Sequence, residues 1–250
     1  MSGPTDASRP GHLGNLTANE EQKLQEMWVH LLRLSGLPES ESQSHRTPNR
    51  TPELRAQLDD PSPAVFWRLL WNLFLGDHPD VMVLRFLRAR KWDVEKATAM
   101  MLSVINWRGE QRLDDELIRQ GDSVGLAPLP TVDEHGFIAQ YRSGKAYVRG
   151  ADREHRPVLI IKVRLHDPKA QSPESMEMFI LHKIETIRTT IRHPQETSCL
   201  IFDLTGFALR NMDTHVVKFM VQVFEARYPE HLGVLLVHNA PFVFNSKSSP

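Results

Sequence analysis

"PVLIIKVRLHDPKAQSPESMEMFILHKIETIRTTIRHPQETSCLIFDLTG", residues Pro157 to Gly206, decides the fold. Its first nine residues are β-branched and apolar enough for a strand. The stretch from Pro173 to Arg192 is helical in pattern, and the run beginning at Thr197 is a second strand closed by Gly206. In the first run Val158, Ile160, Lys162 and Arg164 alternate with Leu159, Ile161, Val163 and Leu165. Only the second set is wholly apolar, which predicts that this face points inward. Downstream, residues 212–229 read as another helix. Leu232 to Val237 is a third buried strand, bounded by Gly233, Asn239 and Pro241. Upstream, "KAYVRG" at 145–150 is a strand joined to Pro157 by the polar connection "ADREHR". Strand and helix in alternation imply an α/β domain with a largely parallel sheet and crossover helices.

Before residue 126 the texture is helical. Residues 1–16 are polar and rich in Gly and Pro, the composition of a disordered tail. Thr17 and Glu20 have capping-box spacing, Leu24, Met27, Trp28, Leu31 and Leu32 follow at helical intervals, and Gly36 ends this amphipathic helix over 17–36. Residues 37–61, rich in Ser, Pro and charge, read as a linker. Over 62–125 the pattern is a small helical module. Pro63 stands at a first turn, Phe66, Leu69, Leu70, Leu73 and Phe74 form a broad apolar face, and two further helices break around Ala89 to Trp92, with Asp93 as a cap.

Bulk properties narrow the function. Thirty Lys and Arg against 31 Asp and Glu leave a net charge of −1, with no field to draw in a nucleic acid. The single cysteine permits no internal disulfide, and the start of the chain has neither the charge nor the apolar core of a signal peptide, so a cytoplasmic, reducing setting is expected. The 12 histidines never fall at metal-ligand spacing, and no Walker loop or dinucleotide fingerprint occurs, so neither metal nor cofactor is indicated. "GDSVG" at 121–125 matches a nucleophile elbow, with Asp203 and His238 following in the order of a hydrolase triad. The elbow needs a strand before Ser123 and a helix after it. Here a helical segment precedes it and "LAPLP" follows, so no catalytic residue is assigned. Cys199, in an apolar strand without a neighbouring base, reads as a buried small hydrophobe.

"LRFLRARKW" gathers Arg85, Arg88, Arg90 and Lys91 at a helix end, where the dipole alone favours cations. Arg90 and Lys91 lie in the break itself. There an Arg fork and a Lys point charge can converge on a phosphate, or stay solvated and ion-paired.

Four blocks, "VLRFLRARKWDVEKA", "DREHRPV", "SCLIFDLTG" and "YPEHLGVLLVHNAPF", in this order, resemble the CRAL-TRIO lipid-transfer family and, within it, the fungal phosphatidylinositol-transfer branch; "GHLGNLT" at 11–17 is similar to members of that branch too. The resemblance runs from about Asp80 to Phe244. It implies a helical module followed by an α/β domain whose sheet floors a lipid cavity under a mobile gate helix, with a phospholipid or other hydrophobic lipid as ligand and transient peripheral contact with intracellular membranes. It also implies that Arg90, Lys91 and Glu230 help to hold an inositol-phosphate headgroup, joined by a Thr and a Lys beyond the "NAPF" block that have no counterpart before Pro250. The resemblance therefore presents residues 126–250 as an incomplete CRAL-TRIO domain, truncated before the gate, or as a short form that binds a partner in place of lipid. Members that take phosphatidylcholine use a Ser and a hydroxyl in the "SC" strand and two tyrosines. Ser198 is present as a headgroup candidate, but Leu200, Val148 and Leu159 stand at the other positions, so an inositol lipid or an apolar isoprenoid fits better.

Leu159, Ile161, Val163, Leu200 and Phe202 form a sheet face almost without polar groups, as a lipid cavity requires and as an ordinary core would equally suit. The expected function is non-enzymatic lipid binding and transfer. The alternatives are an adaptor that offers the 17–36 helix to a protein partner and, remotely, an esterase on Ser123.

Overall fold

A computed structural model of the chain describes residues 6–38, 47–119 and 134–240. Two compact units are present, one within Pro4–Asp114 and Arg192–Glu196, the other within Asp115–Ile191 and Thr197–Pro250.

The first unit is helical: α1 (Ala18–Ser35), α2 (Thr51–Arg55), α3 (Pro63–Phe74), α4 (Pro79–Ala89) and α5 (Val94–Glu110). Local chemistry sets the boundaries. Thr17 and Glu20 form a reciprocal capping box, Gly36 closes α1 in the left-handed region, and the Asp93 side chain accepts from Lys96 N at 3.0 Å to start α5. Helix α1 packs against α2, α3, α4 and α5. Met27, Leu31 and Leu34 therefore join Phe66, Leu70, Leu84, Leu87, Met101 and Ile105 in one buried core.

That core corrects two expectations. The stretch 37–61 is not simply a linker: residues 39–46 lie outside the described residues, but Leu54 and Leu58, four apart on and just after α2, are buried in the core. Polar bonds fasten the same stretch. Arg33 Nη1 donates to the Pro48 carbonyl at 2.9 Å, and Asn106 Nδ2 donates to the Gln57 carbonyl at 2.7 Å. The high Pro, Ser and charge content hid two leucines that suffice to dock one turn. Nor are residues 6–16 a loose tail. Leu13 and Leu16 pack on the core, Gly11 lies so close to the Trp92 ring that a Cβ there would sit 3.2 Å from it, and Asp6 and His12 are buried.

A π-helical turn at Leu113–Ile118 covers most of the segment read as helical before "GDSVG"; Ser123 itself lies outside the described residues. The α/β unit continues with α6 (Glu134–Arg142), β1 (Ala146–Ala151), β2 (Pro157–Lys162), α7 (Pro173–Arg188), β3 (Ser198–Asp203), α8 (Thr214–Ala226) and β4 (Leu232–His238). The strands lie in the order β1-β2-β3-β4, β1 antiparallel to β2 and the rest parallel. Helix α7 packs on β1 and β2 and against α6 and α8.

Strand β2 stops earlier than alternation predicts. Val163–Leu165 is a single 3-10 turn, Leu165 is 40% exposed, and Val158 is buried as well as Leu159. The inward face predicted through Val163 and Leu165 thus ends at Ile161. Gly233 marks a register slip between β3 and β4: Ser198 pairs with Leu232 but Cys199 with Val234. A Cβ at Gly233 would stand 2.4 Å from Thr197 Oγ1, so only glycine fits.

Candidate functional site

Register defines the faces of the sheet. Residues paired across strands share a face, and neighbours along a strand alternate. Ala146 pairs with Ile161, which pairs with Phe202 and then Val237; Val148 pairs with Leu159, which pairs with Leu200 and then Leu235. Eight apolar side chains from four strands therefore share one face, with the Ser198 hydroxyl at its β3 start bonded to the His231 carbonyl. The other face carries Tyr147, Ile160, Ile201 and Leu236, but ends in the row Lys162, Asp203 and His238. The apolar face grades from buried to open: Leu159 is 4% and Leu200 3% exposed, Ile161 and Phe202 are half-buried, and Leu235 and Val237 are 49% and 53% exposed. Of the five residues expected on this face, Leu159, Ile161, Leu200 and Phe202 lie on it. Val163 does not, since it opens the 3-10 turn.

Val148, Leu159 and Leu200, the positions where the resemblance would place hydroxyl-bearing side chains in a phosphatidylcholine binder, form one row across three strands. Their lack of hydroxyls is thus a property of one continuous surface. Cys199, on the opposite face, is buried, and burial pushes its thiol above the ordinary value. It behaves as the small hydrophobe its sequence context predicts.

The polar candidates divide between the units. Arg90 is the first residue beyond α4, half-buried, its Nη1 donating to the Ala89 carbonyl at 3.3 Å. Lys91 is exposed and holds φ +52°, followed by Trp92 at +65°. Two consecutive non-glycine residues in the left-handed region are costly, so the tight reversal between α4 and α5 is maintained by its surroundings. In the α/β unit, Glu230 is exposed at φ +59° in the turn before β4. Ser198 begins β3, and its buried hydroxyl donates to the His231 carbonyl at 3.1 Å.

Two buried polar clusters carry no sequence signature. In the α/β unit the Lys145 ammonium donates to Gln140 Oε1 and lies 3.1 Å from His166 Nδ1, while His166 Nε2 meets Asp213 Oδ2 at 3.0 Å. In the helical unit Arg88 Nη2 donates to Glu196 Oε2 at 3.0 Å, and His12 Nδ1 approaches the same oxygen at 2.8 Å. Arg88 Nη1 also donates to the Gly11 carbonyl. Burial alone would raise the Glu196 carboxyl; the bond from His12 and the charges of Arg88 and Arg85 outweigh it and hold the group below its usual range. Arg88 therefore serves this internal pair. The charged and imidazole pairs at the centres of the two clusters join residues far apart in the chain, so spacing could not reveal them. No helix among the described residues is long and apolar enough to cross a membrane.

Comparison with known proteins adds to this geometry. The family model described as CRAL/TRIO domain matches residues 141–247, and the one described as CRAL/TRIO, N-terminal domain matches residues 52–103. A CRAL-TRIO domain-containing protein of Schizosaccharomyces pombe is 32% identical, over 96% of this chain and 63% of its own length. The phosphatidylinositol transfer protein CSR1 of Eremothecium gossypii is 36% identical over 77% of this chain and 42% of its own. The SEC14 cytosolic factor of Yarrowia lipolytica is 28% identical over 98% of this chain and 41% of its own. The chain thus spans about half the length of the curated relatives it matches. Among solved structures, Sfh5 superposes with a TM-score of 0.53 at 13% identity, covering 79% of this chain and 73% of that one, a likeness of fold.

Proposed function

Because the chain belongs to the CRAL-TRIO family, we propose that it is a non-enzymatic lipid carrier, which takes one hydrophobic lipid from a membrane, shields the acyl chains from water, and releases them on re-docking. The carrying observation is the continuous apolar face from Val148 to Leu235 and from Ala146 to Val237, open at its β4 side. An acyl chain needs a long surface on which no donor or acceptor loses water, and that face supplies one.

Phosphatidylinositol is the ligand we favour. The relative named as a phosphatidylinositol transfer protein supports this, as do the apolar side chains at Val148, Leu159 and Leu200, which offer a choline headgroup no hydroxyl. Arg90 and Lys91, in the break between α4 and α5, would supply the cations for the phosphate. Ser198 donates its hydroxyl to the His231 carbonyl and could serve a headgroup only as an acceptor. The protein would work from the cytoplasm at the surface of intracellular membranes.

Native mass spectrometry of the chain purified from cells tests the proposal. A stoichiometric lipid adduct, identified by fragmentation, is expected. An empty monomer that stays empty on incubation with phosphatidylinositol vesicles would replace the carrier reading with that of an adaptor built on the same fold.

A further inference from the structure

Strands β2 and β3 run parallel, so the turns that follow them emerge at the same edge of the sheet. The first is Val163–Leu165, the second Leu209–Asn211, and the two pack together. Asn211 joins them. Its buried amide Nδ2 donates to the His166 carbonyl at 2.8 Å and to the Arg164 carbonyl at 3.4 Å, and its Oδ1 accepts from Ala208 N at 2.9 Å. Thr205 adds a third connection at this edge, accepting from Asn239 Nδ2 beyond β4 at 2.8 Å.

On this stapled platform stand three large apolar side chains directed to solvent: Leu209 is 76% exposed, Met212 48% and Leu165 40%. Arg164 and Arg210, the residues next to Leu165 and Leu209, are exposed as well, and Lys169 and Lys218 follow within a turn or two. Three carboxylates share this edge with the four cations: Asp213 meets His166 and Val216 N, Asp203 accepts from Thr205 N and interacts with the Arg164 charge, and Asp167 accepts from Lys169 N, which leaves one cation in excess.

We propose that the paired turns Val163–Leu165 and Leu209–Met212 are a membrane-docking surface for an anionic lipid bilayer. Apolar tips with cations beside them match the two layers of such a bilayer, hydrocarbon below and negative headgroups above. A soluble surface gains nothing from a leucine three-quarters exposed on a rigid turn, whereas insertion removes it from water without any loss of backbone freedom. The surface uses none of the residues assigned to lipid holding. It rests on the carrier reading only in supplying the membrane that a carrier must visit.

The test is sedimentation of the full chain with vesicles of phosphatidylcholine, with and without phosphatidylserine at roughly 30 mol %. Binding to the anionic vesicles should exceed binding to the neutral ones about tenfold or more. Leu209→Ser with Met212→Ser should lower it by about tenfold or more, as should Arg164→Gln with Arg210→Gln. Lipid occupancy measured by native mass spectrometry should stay as in the parent. Leu209→Cys, labelled with an environment-sensitive dye beside a Cys199 that is itself buried, should shift to the emission of an apolar medium on the anionic vesicles. Unchanged sedimentation of both pairs, or a dye that stays in water while the protein sediments, overturns the docking surface and leaves the carrier reading standing. An empty protein that still binds anionic vesicles through Leu209 overturns the carrier reading and leaves the surface standing.

Discussion

Lys145 Nζ lies 3.1 Å from Nδ1 of His166, and both are buried. The ammonium can only donate, so Nδ1 accepts, and the imidazole proton sits on Nε2 where it faces Asp213. One neutral tautomer therefore links the residue before β1 to the N-cap of α8. Burial depresses Lys145 to about 8, against the pull of Asp213 and Asp167 in the other direction. His166 is lowered too, by burial and by the Lys145 charge.

The sign follows from linkage. An unfolded Lys near 10.5 binds a proton that the folded one releases near 8, so between those values the unfolded state holds more protons and stability rises with pH. Up to about 3 kcal/mol is at stake across the window. Urea midpoints between pH 7.5 and 10 should climb relative to Lys145→Met, which lacks the group. Parallel profiles for the two proteins would show that the ammonium is not held in a low-dielectric site.

Glu196 has the opposite dependence. Its carboxyl is lowered in the folded state, so the stability it contributes is present above the unfolded carboxylate range and is lost as pH falls through the folded value. Glu196→Gln leaves Arg88 and His12 facing a neutral group and should cost about 3 kcal/mol at pH 7. The loss should shrink below pH 4, read as a converging pair of denaturation midpoints.

Leu54→Ala should destabilise the protein by about 2 to 5 kcal/mol, the cost of emptying a core position. A residue in a true linker would cost less than about 0.5 kcal/mol, so one unfolding curve decides whether residues 47–61 belong to the helical core.

Gly233→Ala should be destabilising because the new methyl meets Thr197 Oγ1 and Cβ. Overpacking of this kind costs about 1 to 3 kcal/mol. Thr197→Ala in the same chain should restore part of it, and strictly additive losses would place the conflict elsewhere.

How much was legible follows from which signals are local. Alternation and capping are local, so β1, β3, β4, the Thr17 box, the Asp93 cap and the break after Ala89 were readable, as was the apolar row Leu159, Ile161, Leu200 and Phe202. The end of β2 was not. Val163 continues the alternation perfectly, and only the packing of the two edge turns, sealed by Asn211 some 45 residues away, turns the chain out of the sheet. Leu54 and Leu58 were lost in a segment whose composition is that of a linker. The Lys145–His166–Asp213 chain spans three elements, and Glu196 meets His12 from 184 residues away; no spacing rule covers such contacts. Ser198 shows the reverse case, a motif residue whose hydroxyl serves the backbone of its own strand pair.

Arg90→Ala with Lys91→Ala should weaken phosphatidylinositol binding with little change in melting, since charge-assisted bonds to phosphate are worth about 1.5 to 3 kcal/mol each. Equal affinity in the folded double variant would move the headgroup away from the break between α4 and α5.

The central claim is that acyl chains lie on one face of the sheet, and methyl NMR with a spin-labelled lipid tests it most directly. Phosphatidylinositol carrying a nitroxide midway along one acyl chain should broaden the methyls of Leu159, Ile161, Leu200, Leu235 and Val237, while those of Val158, Ile160 and Leu236 on the opposite face stay sharp. Equal broadening of both sets, or none at a saturating lipid concentration, would contradict the account.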